Sequence, residues 1–372
     1  MSEVDGKNIG IVMLTAVGDA VHVLPVINAI KRQSPTARIT WVLEPGPATL
    51  VRGHPAVDET VIFERDRGVE GFREVRRALR DRPFDLVLAL QVYFKAGIIT
   101  GFTRSPRKLG FDLARARDLN WMFTTHRIRP APLRHVQDQY LEFLDALDVP
   151  REPVRWNLGP WPDERAAQRE LTAPFERPIV PLVIGSSKPD KDWLPERWAE
   201  VADVLWSDYA LQPVLVGGRS PRELATEGAI MRLARHRPAS LLGSGLRPLV
   251  ALLDAAPLVI SLDTGPLHMA VALDRPVISL IGYSNPKRVG PYRKFHDLMI
   301  DAYGDPGEHY PISMQNRPNR MPRITVRDVL EKIEIWKHRY RDSGLGTRDS
   351  AGERESPPPK PTPESRVPSP GA

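Results

Sequence analysis

Cysteine is absent from the 372 residues of this chain. Its absence excludes disulfide bridges, zinc–thiolate centres and a cysteine nucleophile, and it fits a reducing compartment. No apolar run reaches the roughly 20 residues that a membrane-spanning helix needs. The opening residues MSEVDGKNIGIVML also lack the basic start and long apolar core of a signal peptide. Together these features predict a soluble, cytoplasmic protein.

A dinucleotide-binding fingerprint is lacking as well. The first apolar segment leads into TAVGDAVHVLP at 15–25, where a G-x-G-x-x-G turn would otherwise stand. A hydride-transferring enzyme is therefore disfavoured.

The charge balance is moderately basic. Lysine and arginine number 52 against 46 acidic residues, which gives a net charge of +6. This excess fits either a solvated arginine-rich surface or an anionic partner, such as nucleic acid, a phosphorylated glycan or a membrane face. Aromatic residues do not interleave with the basic ones, so nucleic acid is not expected.

Short apolar strands alternate with amphipathic helical stretches from about residue 8 to 330. Because these strands are almost entirely apolar, they predict parallel sheets that are covered on both faces. The strands fall into two series, at 8–14, 38–43, 58–63 and 84–90, and at 178–185, 213–218, 257–262 and 276–282.

This pattern predicts an α/β protein with two Rossmann-like, doubly wound domains that face an interdomain cleft. The Pro- and Trp-rich segment REPVRWNLGPWPDE separates them, which predicts domains at 1–155 and 156–324. A helix is predicted at 325–341. Residues 342–372 hold many prolines and almost no large apolar residues, so we predict that they are disordered.

Polar residues follow several strands directly, where ligands bind in such sheets. Gly18 and Asp19 follow the first strand, and Asp19 fits either an N-cap or a functional carboxylate. Ser186, Ser187 and Lys191 follow the strand at 178–185 and suit a phosphate. Glu223 follows a glycine pair and fits a capping role equally well.

The segment ISLDTGPLHMAVALDRPVISLIGY at 260–283 is the most informative. Thr264 and Gly265 stand where a strand passes into a helix, and a helix N-terminus offers unpaired N–H groups to an anion. Asp263 would repel a phosphate and is therefore expected to face sugar hydroxyls. His268 lies on the first turns of the same helix.

These segments resemble the ADP-heptose:lipopolysaccharide heptosyltransferase family, inverting glycosyltransferases of the GT-B type. The resemblance runs through about residues 8–335 and rests on TAVGDAVHVLPVINAIKR, ITWVLEPG with HPAVDETVIF, KDWLPERWAEVA and SLDTGPLHMAVALDRPVISLIGYSNPKRVGPY. It implies that Asp19 is the general base, that Lys191 binds phosphate and that Glu223 binds ribose. It further implies donor-binding roles for Asp263, Thr264, Gly265 and His268.

The resemblance also implies an ADP-heptose donor and an anionic lipopolysaccharide acceptor carrying Kdo or heptose. The first domain is expected to bind this acceptor and the second the nucleotide-sugar. Acceptor contacts are expected from Gly18, Arg65, Arg73, Lys95 and Arg115. Since Lys191 lies between Asp190 and Asp192, we expect no metal there and no cofactor. The anionic acceptor implies a peripheral contact with the inner face of the inner membrane.

Two other interpretations stay open. The chain fits an epimerase or transferase that uses another nucleotide-sugar, and it fits a non-catalytic nucleotide-sugar-binding protein. Parallel assays with several donors would separate these.

Overall fold

The computed structural model describes residues 3–341. The predicted disordered tail at 342–372 lies outside the described residues. Within residues 3–341 no helix has both the length and the apolar character needed to cross a membrane.

The first half is built on a parallel sheet with the strand order β3-β2-β1-β4-β5-β6. Its strands are β1 (Asn8–Val12), β2 (Arg38–Leu43), β3 (Glu59–Ile62), β4 (Leu86–Ala89), β5 (Arg107–Gly110) and β6 (His126–Arg127). Its helices are α1 (Val17–Gln33), α2 (Pro45–Val51), α3 (Val69–Leu79), α4 (Phe94–Phe102) and α5 (Val136–Asp145). The apolar side chains of β1 and β4 are buried, as expected for a sheet covered on both faces.

The second half repeats this plan with the strand order β12-β11-β10-β7-β8-β9. Its strands are β7 (Ile179–Val183), β8 (Gln212–Val216), β9 (Ala239–Ser240), β10 (Val259–Leu262), β11 (Val277–Ile281) and β12 (Met299–Asp301). Its helices are α6 (Arg165–Thr172), α7 (Pro195–Ser207), α8 (Pro221–Leu233), α9 (Leu246–Ala255), α10 (Gly265–Ala272), α11 (Pro286–Val289) and α12 (Val326–Trp336).

Both sheets therefore have the doubly wound order, and the predicted α/β class is confirmed. In each half the strand order reverses beside the first strand, between β1 and β4 and between β7 and β10. A crevice opens at such a switch point, outside the carboxyl ends of the strands. Four strands, β5, β6, β9 and β12, were not predicted, because they are short or carry too many polar residues to show a periodicity.

The chain segment that joins the halves packs on the first of them. The Arg32 guanidinium donates to the carbonyls of Pro150, Glu152 and Pro153, at 3.0–3.2 Å. The Asn28 amide donates to the Trp156 carbonyl at 2.9 Å. The division at 155/156 stays a prediction.

The predicted C-terminal helix is present. It begins at α12, where the Thr325 hydroxyl accepts the Asp328 N–H at 3.2 Å, and it continues as a wider π-helical turn over Lys337–Arg341. The Trp336 indole is buried and donates to the Pro257 carbonyl at 3.0 Å. This helix therefore packs on the second half.

The two halves meet where the first turns of α1 and α10 face each other. A methyl group at Gly18 would lie 3.6 Å from the Gly265 Cα atom and 2.9 Å from the His268 ring. Two helix N-termini thus converge on the space between the sheets, and glycine at both positions permits the close approach.

Candidate active site

A cavity of about 720 Å³ lies between the two halves, and we call it the main cavity. It is bordered by the carboxyl ends of β1, β7 and β10. Ten of the predicted site residues line it together: Gly18, Asp19, Ser186, Ser187, Lys191, Glu223, Asp263, Thr264, Gly265 and His268.

Asp19 is held on the wall of this cavity by two hydrogen bonds. One carboxylate oxygen accepts the Ala16 N–H at 3.0 Å, and the other accepts the Tyr140 hydroxyl at 3.0 Å. Ala16 is the N-cap of α1, so Asp19 stands three residues further on and closes the first turn. The capping role and the functional one are therefore compatible in the same side chain.

Burial raises the pKa of the Asp19 carboxyl above its ordinary value, although the Ala16 and Tyr140 hydrogen bonds and the charge of Arg288 act in the opposite direction. A carboxylate with a raised pKa is a stronger base than a solvated aspartate. The environment of Asp19 therefore suits proton abstraction.

Lys191 and Asp263 form a partly enclosed ion pair. The Lys191 ammonium lies 2.8 Å from a carboxylate oxygen of Asp263 and also donates to the Asp263 carbonyl at 3.0 Å. The side chains are 16% and 6% exposed, respectively. Asp263 therefore positions the lysine, and its contact with sugar hydroxyls stays a prediction.

Gly265 has a neighbour that the sequence did not predict. A Cβ atom there would lie 3.0 Å from a methyl carbon of Val17, which belongs to the first half. The glycine is thus needed for the contact between α1 and α10, whatever anion binds beside it.

Ser186 and Glu223 are engaged in local hydrogen bonds at the edge of the main cavity. The Ser186 hydroxyl donates to Asp192 at 2.5 Å, and Asp192 pairs with Arg222 at 2.5 Å. Asp192 is therefore occupied by these two partners, and within residues 3–341 no group of three or more metal-ligating side chains is found.

The Glu223 carboxylate accepts the N–H groups of Gly218 at 2.6 Å and Ser220 at 2.9 Å. Burial alone would raise its pKa, but these hydrogen bonds and the Ser220 hydroxyl outweigh burial and lower it. Glu223 is consequently an anion at neutral pH, available to accept hydrogen bonds from a ligand.

Three histidines pack together where the halves meet. The rings of His22 and His268 are 4.3 Å apart between centroids, and those of His22 and His135 are 5.8 Å apart. Burial lowers the pKa of His22 to about 4 and that of His135 to about 4. Burial likewise places the pKa of His268 well below its ordinary range. All three imidazoles are neutral at pH 7.

Acid should therefore destabilise the protein at this contact. Since the folded-state pKa values lie below the unfolded value of about 6.5, stability is fully present above pH 6.5 and falls as the pH drops toward 4. For His22 and His135 the expected loss is on the order of 3 kcal/mol each. Melting temperatures measured from pH 7 to pH 4 should show a shallower decline for His22→Asn than for the parent. The exposed His126→Asn variant serves as the control, and identical slopes for all three proteins would contradict the assignment.

Four predicted acceptor residues do not line the main cavity. Arg65 and Arg73 are exposed and pair with Glu44 at 3.6 Å and Glu70 at 3.3 Å. Lys95 is exposed on α4.

Arg115, the fourth of these residues, is held by two buried ion pairs. Its side chain is 6% exposed and pairs with Asp112 at 2.5 Å and Glu142 at 2.6 Å. Sequence alone could not distinguish this buried, neutralised arginine from a free one.

The profile of glycosyltransferase family 9 (heptosyltransferase) matches residues 72–308. The chain belongs to this family. It is accordingly a glycosyltransferase, as the sequence predicted.

Individual relatives agree with this membership. The chain is 29% identical over 338 residues to the lipopolysaccharide core heptosyltransferase OpsX of Haemophilus influenzae, covering 88% of this chain and 96% of that one. It is 26% identical over 294 residues to lipopolysaccharide heptosyltransferase 1 of Pseudomonas aeruginosa, covering 76% and 80%.

Solved structures show the same fold. A family 9 glycosyltransferase from Veillonella parvula superposes with a TM-score of 0.75 at 22% identity, covering 89% of this chain and 97% of that one. The heptosyltransferase WaaC of E. coli, solved with ADP, gives 0.70 at 23% identity, covering 88% and 99%. The predicted GT-B architecture is confirmed.

In this family 9 enzyme a second cavity, of about 470 Å³, opens into the first half beside Asp19. It shares six lining residues with the main cavity, namely Asp19, Tyr93, Arg117, Val136, Arg288 and Met314. Asp19 therefore stands between two spaces, of which only the main cavity is bordered by the β7 and β10 ends.

Tyr140 and Arg288 were not predicted as site residues. Tyr140 lies on α5, about 120 residues from its partner Asp19, so no local pattern connects them. Arg288 lies within the SNPKRVGPY segment that carries the family resemblance, but the sequence pattern does not show where its side chain points.

Proposed function

We propose that this family 9 enzyme transfers a heptose from ADP-heptose to a lipopolysaccharide-core acceptor that carries Kdo or heptose, with inversion at the anomeric carbon. The observation that carries the proposal is the position of Asp19, between the main cavity and the second cavity. The names of the relatives support the sugar and the acceptor class.

The donor would occupy the main cavity against the second half. Its diphosphate would lie at the N-terminus of α10, at Thr264 and Gly265, where free N–H groups and the helix dipole favour an anion. Lys191, held by Asp263, would donate a hydrogen bond to a phosphate oxygen. Glu223, with its ionised carboxylate, would accept hydrogen bonds from the ribose hydroxyls, and Ser187 and His268 would border the donor.

The acceptor sugar would enter the second cavity. One of its hydroxyls would lie against Asp19, which takes the proton as the hydroxyl oxygen bonds to the anomeric carbon. The bond from that carbon to the phosphate oxygen breaks on the opposite face, and ADP leaves with the electron pair. Lys191 and the α10 terminus would stabilise the charge that develops on the phosphate.

The acceptor class implies where the reaction takes place. A lipid-linked core acceptor is assembled at the cytoplasmic face of the inner membrane, so we propose a cytoplasmic enzyme in peripheral contact with that face. The net charge of +6 supports attraction to an anionic surface.

One assay tests the activity directly. The protein is incubated with ADP-heptose and defined lipopolysaccharide-core acceptors, and ADP release is followed together with the mass of the acceptor. A gain of one heptose, dependent on both substrates, is expected. ADP release without acceptor modification, or transfer only from a different nucleotide-sugar, would overturn the proposal.

Removing the Tyr140 hydroxyl should shift the pH dependence of the reaction. Because the Tyr140 hydrogen bond lowers the pKa of Asp19, Tyr140→Phe should raise that pKa further. The base must be ionised, so the acid limb of the kcat/KM profile should move to higher pH while activity at alkaline pH is largely retained. A uniform loss at every pH would indicate a purely structural role for Tyr140.

Activity should not depend on a divalent metal. The positive potential at the proposed phosphate site comes from Lys191 and the α10 terminus, and Asp192 is paired with Arg222. Initial rates should therefore be unchanged after EDTA treatment and dialysis. Loss of activity that magnesium or manganese restores would contradict this.

A further inference from the structure

In the part of the chain that the structure describes, Arg288 is a cation without an ion-pair partner. Its Nε atom is buried and makes no hydrogen bond, and the guanidinium makes no ion pair with any residue of 3–341. A buried donor that is left unpaired costs free energy, so such groups in native structures call for an explanation. A ligand anion that fills the space beside the guanidinium would provide one.

The helix that carries Arg288 is firmly anchored. Asn285, the buried N-cap of α11, accepts the Lys287 N–H at 3.1 Å, and its amide donates to the Pro311 carbonyl at 2.8 Å. These bonds fix the backbone next to Arg288. The guanidinium is therefore presented from a rigid base.

Arg288 reaches from the second half into the second cavity. It lines that cavity with Asp19, Tyr140 and Gln139 of the first half, and only Met314 accompanies it from the second half. Its charge also acts on the Asp19 carboxyl. Arg117 borders the same space, where its guanidinium donates to the Met314 sulfur at 2.9 Å.

The proposed phosphate site is elsewhere. Lys191, Thr264 and Gly265 line the main cavity but not the second. Arg288 itself lines both cavities, so an anion beside Asp19 in the second cavity would meet Arg288 but not Lys191, and the ADP affinity of an Arg288 variant reports on the donor side.

We propose that Arg288 binds the carboxylate of an acidic acceptor sugar in the second cavity and so selects acidic over neutral acceptors. This rests on the proposed function, since it assigns the acceptor to that cavity. A guanidinium matches a carboxylate through two parallel N–H···O bonds. Arg288 would orient the sugar so that its hydroxyl faces Asp19, and Arg117 would add positive charge from the other side.

The test compares an acidic acceptor with the same molecule carrying a carboxamide in place of the carboxylate. The parent should prefer the acid by roughly tenfold or more in kcat/KM, the range of a charged hydrogen bond. In Arg288→Met this preference should disappear through a higher KM for the acid, while calorimetric ADP affinity stays unchanged. Arg288→Lys keeps the positive charge but cannot form the two parallel N–H···O bonds, so it should recover part of the preference.

Lys188→Met is the matched control. It removes one cation near the cleft that lines neither cavity, and it should keep the parent's preference. Weakened ADP binding in Arg288→Met, with the acid preference intact, would reassign Arg288 to the donor and overturn the proposal. An unchanged preference with unchanged ADP affinity would overturn it as well.

Misfolding of Arg288→Met and failure of the parent to transfer heptose are each distinguished by a binding measurement. If Arg288→Met does not fold, calorimetric binding of the free acid sugar and its carboxamide to the parent decides, and equal affinities would refute the selection. If the parent transfers heptose to neither acceptor, the proposed activity fails, and the same binding comparison still tests Arg288.

Discussion

Asp19→Asn should lower kcat by roughly 10²- to 10⁴-fold, the range that a positioned general base contributes. The amide keeps the size of the carboxylate and can still accept the Ala16 N–H, so the first turn of α1 should remain closed. What the substitution removes is the ability to take a proton between the two cavities.

Donor binding separates this effect from misfolding. Asp19 belongs to the first half, and the proposed phosphate partners Lys191 and Gly265 belong to the second. Calorimetric ADP affinity should therefore be preserved in Asp19→Asn, and the melting temperature should change little. A folded Asn variant that turns over within a few-fold of the parent would refute the role of Asp19 as the base.

Lys191→Ala should weaken ADP binding by about 1.5–3 kcal/mol, which corresponds to roughly 10- to 150-fold, if the ammonium donates to a phosphate. The effect on stability should also be large. Asp263 is only 6% exposed, and its carboxylate would lose the ammonium that lies 2.8 Å away. Breaking a buried pair by removing one partner typically costs about 3–5 kcal/mol.

A second variant separates these two effects. The double variant Lys191→Met/Asp263→Asn lacks both the lysine and the buried carboxylate of Asp263. Its melting temperature should therefore be closer to that of the parent than the melting temperature of Lys191→Ala. ADP affinity should remain weak, because no cation has been restored. Calorimetry at low and high salt provides a further check, since the contribution of the lysine should diminish with screening. Recovery of full ADP affinity in the double variant would exclude Lys191 as a phosphate partner.

The predictions from sequence succeeded where a local pattern determines the structure. The four buried strands of each series were found because each is a short, continuous apolar run, as in β1 and β10. The strands β6 and β9 contain two residues each, too few for any period to be recognised. Their place at the sheet edge depends on the neighbouring strand that they pair with, which only the folded chain supplies.

In the candidate site, too, local sequence predicts some features, whereas others depend on contacts between distant residues. Asp19, Lys191 and residues 263–265 could be placed beside the main cavity from sequence, because they follow β1, β7 and β10 within about eight residues and the backbone brings those strand ends to the crevice. The ion pairing of Arg115 could not be predicted, because its partner Glu142 lies 27 positions away in the chain. Arg115 also lines the second cavity, and its acceptor role stays a prediction. Nothing local distinguishes Arg115 from Arg288, which makes no ion pair with any residue of 3–341.

The sequence by itself determined the α/β class, the two repeated halves, the family resemblance and the residues that follow the strands, since all of these depend on hydrophobic periodicity and short contiguous motifs. Only the tertiary structure decided that Asp263 holds Lys191, that Tyr140 holds Asp19 and that Gly265 packs on Val17. These contacts join residues 72, 121 and about 250 positions apart. Their energies depend on distance and burial, which arise only when the two halves are packed together.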